Sequence, residues 1–240
     1  MSGCFFVTGT DTDCGKTSVS ELILELFARS GYRTLAMKPV AAGCEITAEG
    51  LRNSDALKLQ AAATIKLPYE AVNPIALAPA IAPHIAAEQF GVEVKVEDLV
   101  EHWQKLQAQD ADLMLTEGAG GWLVPLNERE SFQDFVQQTG QDVILVVGMK
   151  LGCLNHALLT VAAIEAAGLK LRGWIANQAS STPIMAYKAN LKTLKQRINA
   201  PLLAEVPHLT SLGDRELWLQ RTELLEGLGY VARPHSAAAN

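Results

Sequence analysis

The chain has 240 residues, of which 49% are apolar and 19% charged, and its formal net charge is -6. That apolar content can bury a sizeable core, while an acidic chain without a basic cluster argues against nucleic acid and anionic membranes as partners. Four scattered cysteines without a C-x-x-C pair argue against a disulfide or zinc framework; they fit a reducing compartment, the cytoplasm. The opening "MSGCFFVTG" lacks the basic start and long apolar run of a signal peptide, and no apolar stretch reaches membrane-spanning length.

In chain order, six short apolar runs read as strands: Cys4–Thr8, Arg33–Met37, Asp112–Thr116, Val143–Val147, Gly173–Asn177 and Leu202–Glu205. They are continuously apolar rather than alternating, as strands buried on both faces should be. Helical periods fall between them. Val19, Leu22, Ile23, Leu26 and Phe27 make the first stripe, and Leu99, Trp103 and Leu106 a second. Phe132, Phe135 and Val136 follow Ser131, an N-cap candidate with Asp134 three residues on. Tyr187, Leu191, Leu194 and Ile198 make another stripe. Strand alternating with helix predicts an α/β fold, a parallel sheet with helices on both faces. The exception is 41–96, long and punctuated by Pro68, Pro74, Pro79 and Pro83, with one helix expected over Asn53–Thr64; connections of that length tend to be lids or binding loops. No repeat or linker is visible, so a single domain is expected over 1–233, with 234–240 a disordered tail.

The stretch "TGTDTDCGKTS", Thr8–Ser18, nearly matches a phosphate-binding loop. Gly15-Lys16-Thr17 fits, but the preceding glycine, Gly9, stands one position early and Thr10 occupies the expected place. The context is right: a buried strand leads in and an amphipathic helix leads out. Backbone N–H groups of Asp13, Cys14, Gly15, Lys16 and Thr17 can surround phosphate oxygens, and the helix start adds partial positive charge. Lys16 supplies a point charge for the β- and γ-phosphates, and the Thr17 hydroxyl can ligate magnesium. Asp11 and Asp13 are unexpected beside an anion; they either point away or serve a cation, whether magnesium, a lysine or an amine-bearing substrate.

Ligands of open α/β sheets bind beyond the carboxyl ends of the strands. Lys38 ends the second strand, where a further lysine suits a reaction that gathers negative charge; a solvated surface lysine is the alternative. Glu117 ends the third, the usual place of a magnesium-binding carboxylate, and Gly118, Ala119 and Gly120 follow it. Asp55 is either a metal ligand or a partner in capping a helix. Gly152, Cys153, Leu154 and Asn155 open an apolar helix, which suits a carboxylate or phosphate, or Asn155 is an ordinary cap. Asn177 ends the fifth strand and either reads a base or closes a turn.

These residues resemble the dethiobiotin synthetases, ATP-dependent ring-closing enzymes of biotin synthesis on a phosphate-loop NTPase fold. The pieces that carry the resemblance are "FVTGTDTDCGKT", "KPVAAG", "GLRNSDAL", "VNP", "PHIAA", "EGAGGW", "ILVVGMKLGCLNHALLT" and "GWIAN", in order from about Phe5 to about Leu209. The resemblance implies a reaction: 7,8-diaminononanoate takes up CO2 as a carbamate, ATP phosphorylates it, and the second amine closes the ureido ring. It implies Lys16 and Lys38 as catalytic, and magnesium (Mg2+) held through Thr17, Asp55 and Glu117. Nucleotide contacts are implied at 13–18 including Ser18, at Asp55 and 117–120, and at an adenine and ribose pocket of Asn177, Gln178, Pro207, His208, Leu209 and Asp214. Substrate contacts are implied at Thr12, Lys38, Ala42 and 152–155, the last from a neighbouring subunit of a homodimer. The chain departs from the family at Ala42, where a serine is common, at Gln178, where an acid is common, and at Cys14, where a small apolar residue is usual; Cys14 and Cys153 would make the site sensitive to oxidation.

Three other classes compete. Partition-type ATPases carry a lysine five positions before the loop lysine, where this chain has Asp11. A glutamine-using amide synthetase of cobalamin synthesis would need a further glutaminase domain, for which this chain is too short. A nucleotide-binding module without chemistry stays open, with Lys38 and the cleft at the strand ends weighing against it.

Overall fold

A computed structural model describes residues 3–233; the expected tail at 234–240 lies outside them. The elements run β1 (Gly3–Gly9), α1 (Lys16–Arg29), β2 (Thr34–Met37), β3 (Val40–Ala42), β4 (Glu45–Thr47), β5 (Gly50–Arg52), α2 (Ser54–Ala62), α3 (Tyr69–Val72), β6 (Ile75–Leu77), α4 (Pro83–Gln89), α5 (Val96–Gln107) and β7 (Leu113–Glu117). They continue as α6 (Phe132–Thr139), β8 (Asp142–Gly148), α7 (Cys153–Ala166), β9 (Leu171–Asn177), α8 (Tyr187–Arg197), β10 (Leu202–Val206), α9 (Leu212–Trp218) and α10 (Glu223–Leu228). The six expected strands form one sheet in the order β10-β9-β8-β1-β7-β2, with every pairing parallel.

Alternation along a buried strand feeds two cores at once. Phe5 and Val7 pack with the α1 stripe, Val19, Leu22, Ile23 and Phe27, and with Leu224, Leu225 and Leu228 of α10. Phe6, between them, packs on the opposite face with α5 and α6. Its ring lies 5.8 Å from Phe132 and 6.2 Å from both Phe135 and Trp122 between centroids, separations at which tilted aromatic pairs attract. Ser131 and Asp134 close the expected capping box at the start of α6, and Gly140 ends that helix at φ 65°, a left-handed C-terminal stop that glycine adopts freely.

The stretch 41–96 is not the long loop expected. Its strands are three residues each: β3 pairs in parallel with β6, and β4 with β5 as a hairpin. Pro68 and Pro83 stand where proline is tolerated, at the N-cap of α3 and the first position of α4. The expected helix is there, as Ser54–Ala62.

Strand order sets the site. β1 lies between β7 and β8, so the chain leaving β1 meets the ends of both, and such a switch point opens a crevice at the strand ends. Val7 pairs with Glu117 and Met37 with Thr116. The next residue after Met37 is Lys38, so the register brings Lys38 level with Glu117, one strand from the loop.

Candidate functional site

The extra residue of the loop has a structural use. The Thr10 N–H donates to the Val146 carbonyl at 3.0 Å, and its hydroxyl accepts from the Gly148 N–H at 3.2 Å; Thr10 thus stitches the loop's base to β8. A Cβ on Gly9 would stand 2.3 Å from the Cys14 Sγ, so Cys14 needs glycine there. Asp13 and Gly15 both take left-handed backbone, φ 59° and 86°. That curls the loop, and α1 starts at Lys16 with neither a side-chain cap nor an acid in its first turn. Its first N–H groups are therefore left for an anion. Lys16, 8% exposed, folds back so that its ammonium donates to the Asp11 carbonyl at 3.2 Å.

Beside the loop, Glu117 is fully buried. Its Oε1 accepts from Lys38 Nζ at 2.7 Å and from the Thr17 hydroxyl at 2.9 Å. Lys38, 4% exposed, also donates to the Gly118 carbonyl at 3.0 Å and stands 3.7 Å from Asp55. The surface-lysine alternative for Lys38 is thereby excluded. Glu117 Oε2 is buried without a partner, and a buried carboxylate oxygen of that kind calls for a cation or a donor. Thr17, Glu117 and Asp55 offer only oxygen, the donor that magnesium takes, and magnesium needs one or two carboxylates besides phosphate and water. The residues present fit that ion.

A cavity of about 810 Å³ opens over this cluster. Its lining mixes polar residues, among them Thr12, Asp13, Lys16, Thr17, Lys38, Asp55 and Lys58, with apolar ones, among them Ala41, Ala42, Ala119, Ile81, Leu123 and Val124. Such a lining offers both charge for anions and apolar surface for a hydrocarbon chain. Ala42 contributes its methyl; its carbonyl already accepts from Asn53 Nδ2 at 3.3 Å. Asn53 is the cap of α2, accepting from the Asp55 and Ala56 N–H groups. Asp55 is therefore a first-turn residue whose carboxylate is not spent on capping.

Of the cations that the sequence offers for Asp11, the structure supplies the lysine. Lys150 lies 2.5 Å from Asp11 Oδ2, and its hydrogen bond holds the Asp11 carboxyl below the ordinary range. The thiols of Cys14 and Cys153 are 1% and 2% exposed, so the expected sensitivity to oxidation has no accessible sulfur behind it. Asn155 is not a cap: Gly152, at φ 94°, holds that position and α7 has no side-chain cap. The turn 152–155 does not line this chain's own cavity.

Asn177 lies on the other flank of the loop. It is buried, donates to the Cys14 carbonyl at 2.8 Å, and leaves no room for a side chain at position 15, where a Cβ would meet its Nδ2 at 2.0 Å. Beyond it, the Gln178 N–H donates to the Val206 carbonyl and His208 Nδ1 lies 2.9 Å from the Ala179 carbonyl. Pro207 and Leu209 complete that turn. Asp214 sits in the first turn of α9, where its Oδ2 accepts from Thr210 and Ser211; that partnership holds the carboxyl below its ordinary range. Sequence reading missed the roles of Asn53 and Lys150. Asn53 had a signal, since Asn-Ser-Asp before an apolar run is a helix-start pattern; Lys150 acts through a contact distant in sequence.

A family model described as an AAA domain matches residues 4–216. The ATP-dependent dethiobiotin synthetase BioD of Marinobacter nauticus is 49% identical over 229 residues, 95% of this chain and 94% of that one. The protein of the same name from Pseudomonas aeruginosa strain UCBPP-PA14 is 51% identical, covering 85% of this chain and 90% of its own. Among solved structures, the MinD cell division protein of Aquifex aeolicus superposes with a TM-score of 0.56 at 16% identity, covering 89% of this chain and 85% of that one. MinD of Pyrococcus horikoshii complexed with Mg-ADP gives 0.54 at 15% identity, with 95% and 93% covered. At such identities the solved structures share the fold.

Proposed function

The chain belongs to the ATP-dependent dethiobiotin synthetase family, and from that premise we propose how its residues carry out the ligase reaction of biotin biosynthesis. One amine of 7,8-diaminononanoate takes up CO2 as a carbamate. A carbamate oxygen attacks the γ-phosphorus of ATP and ADP leaves, giving a carbamic–phosphoric anhydride. The second amine attacks the carbonyl carbon, loses its proton, and expels phosphate as the ureido ring closes. Two anions must meet in the phosphorylation step. Lys16 and Lys38 hold them together and offset their repulsion, the largest electrostatic obstacle to the reaction. Magnesium, held by Thr17, Glu117 and Asp55, would supply further charge neutralisation at the phosphates.

The nucleotide lies along 13–18, with 117–120 beside its phosphates. Its base and ribose extend over the β9 and β10 flank, toward Asn177, Gln178, Pro207, His208, Leu209 and Asp214. The diamine occupies the cavity with Thr12, Lys38 and Ala42 against its reacting end. Its carboxylate binds the turn 152–155 of a second copy in a homodimer. Leu151 and Leu159, on either side of the turn in the sequence, are 96% and 62% exposed, and their burial against a second copy would accord with that reading. We place the enzyme in the cytoplasm, with 1–233 as one synthetase domain and neither nucleic acid nor membrane as a partner; among the described residues no helix is long and apolar enough to cross a membrane.

The observation that carries the reading is the buried Lys38, held by Glu117 beside the loop and lining a cavity with both charged and apolar residues. A partition-type ATPase shares the fold, but at its signature lysine position this chain has Asp11, paired with Lys150. The deciding experiment measures ADP release with ATP alone, with diamine or bicarbonate added singly, and with both. Release only with both is expected; release with ATP alone would favour the partition-type activity.

A further inference from the structure

Lys38 and Asp55 reach the cavity from separate segments of the chain, yet one buried tyrosine holds both. The Tyr69 hydroxyl, at the start of α3, accepts from the Asn53 N–H at 2.7 Å and donates to Asn73 Oδ1 at 2.9 Å. From Asn73, Nδ2 donates to the Lys38 carbonyl at 2.7 Å and to the Ile75 carbonyl at 3.1 Å. The Lys38 N–H in turn donates to the Val72 carbonyl at 2.7 Å. The peptide groups on both sides of Lys38 are thus clamped by the end of α3. On the other arm, Asn53 caps α2 and so sets the helix turn that carries Asp55. Tyr69, Asn73 and Asn53 are 6%, 2% and 7% exposed, and the Arg52 guanidinium covers the Tyr69 ring at 4.3 Å.

We propose that Tyr69 and Asn73 are positioning residues for the reaction: the phenol–carboxamide link fixes the Lys38 backbone and the α2 start in one frame, and so fixes where the Lys38 ammonium stands relative to Asp55 and Glu117. The proposal rests on the reading of Lys38 as a group that acts on the reacting anions. Neither Tyr69 nor Asn73 lines the cavity, so their influence passes through Lys38 and Asp55. The physical basis is cooperative. Each polar atom of the link is buried, so losing one member leaves its neighbours unpaired in a low-dielectric surrounding. The strand end then settles into a new position rather than a mere loss of one bond. Displacement of a positioning group by about 1 Å costs roughly a hundredfold in rate. The placement of the link bears on function because two of the groups it ties, the Lys38 backbone and the α2 start that carries Asp55, both deliver charge to the cavity.

The test is Tyr69→Phe, which removes one oxygen and keeps the ring under Arg52. kcat is measured per nucleotide-binding site, with the sites counted by calorimetric titration of a non-hydrolysable ATP analogue, and KM for ATP is measured alongside. A fall in kcat per site of roughly ten- to a hundredfold, with KM for ATP within about twofold, is expected. A purely structural tyrosine would reduce the number of sites and the melting temperature and leave kcat per site unchanged, and that result overturns the proposal. Should Tyr69→Phe not fold, Asn73→Ser is read by the same criteria, since it removes the clamp on the Lys38 carbonyl and spares the phenol. Lys38→Ala is assayed in parallel. Full turnover there would overturn the underlying reading of Lys38, whereas a dead Lys38→Ala beside an unaffected Tyr69→Phe would overturn the positioning link alone.

Discussion

The ammonium of Lys38 lies 2.7 Å from the carboxylate of Glu117, and their side chains are 5% and 0% exposed. The pair arises from register, since Met37 and Thr116 are paired, Glu117 is the last residue of β7 and Lys38 is the first residue beyond β2. Glu117 thereby supplies the counter-charge that lets a lysine be stored in a dry place. Lys38 in turn remains beside the loop, in the lining of the cavity.

Removing one partner of such a pair leaves the other charge uncompensated, which costs about 3–5 kcal/mol. Lys38→Met should therefore destabilise the fold by about that amount. Adding Glu117→Gln removes the stranded charge and should restore most of the loss, although turnover stays abolished in both variants while ATP still binds to Lys38→Met. Denaturant unfolding and turnover assays check the two halves independently. Equal stabilities for the single and double variants would refute the account of Glu117 as the counter-charge.

At the loop, glycine is required at position 15 for two separable reasons. The backbone is left-handed there, φ 86°, and an added Cβ would meet Asn177 Nδ2 at 2.0 Å. Left-handed backbone costs an alanine about 1–2 kcal/mol, and the contact forces the loop away from its place. Gly15→Ala should thus weaken ATP binding by more than about tenfold. Gly15→Ala combined with Asn177→Ala relieves the contact and leaves the backbone cost, so part of the thermal stability should return. Calorimetric titration with ATP and thermal unfolding measure both. Wild-type affinity in Gly15→Ala would mean that the loop does not cradle phosphate.

Much of this site was legible in the chain. The six strands stood out because both faces of the sheet are covered and their residues are continuously apolar. Lys38 and Glu117 followed from asking what stands at each strand end. Other parts left no local trace. Three-residue strands such as β3 and β6 are too short to establish a period of two, so 41–96 read as loop. The pairing of Asp11 with Lys150 joins residues 139 apart, and charge pattern along the chain gives no hint of it. Cys14 reads as a reactive thiol by its place in the loop, but Gly9, whose Cβ would clash with its sulfur, and Gly148, whose Cβ would crowd its Cβ at 3.0 Å, let it sink into the core. The helices α9 and α10 are only seven and six residues long, too short for a helical stripe to stand out, although their Trp218, Leu224 and Leu225 belong to the core.

Far from the cavity, Asp112 makes a pH-dependent contribution to stability. Its carboxylate accepts from Arg233 at 2.8 and 3.2 Å and from the Arg33 N–H at 2.8 Å. The Arg233 hydrogen bond, offset in part by burial, holds its carboxyl below the ordinary aspartate range. A folded-state pKa lower than the unfolded one means that the folded chain binds protons less readily. The contribution is therefore complete above the unfolded value, about pH 4, and is lost as the pH falls through the folded value beneath it. Asp112→Asn, which cannot ionise, should be less stable than the native chain by a constant margin between about pH 6 and 8, and the margin should shrink below about pH 4. Because Arg233 is 48% exposed, added salt should shrink the margin at neutral pH as well. Urea unfolding of the two chains across that pH range measures it; a margin that holds or widens under acid would show that the Asp112 carboxylate is not the group being titrated.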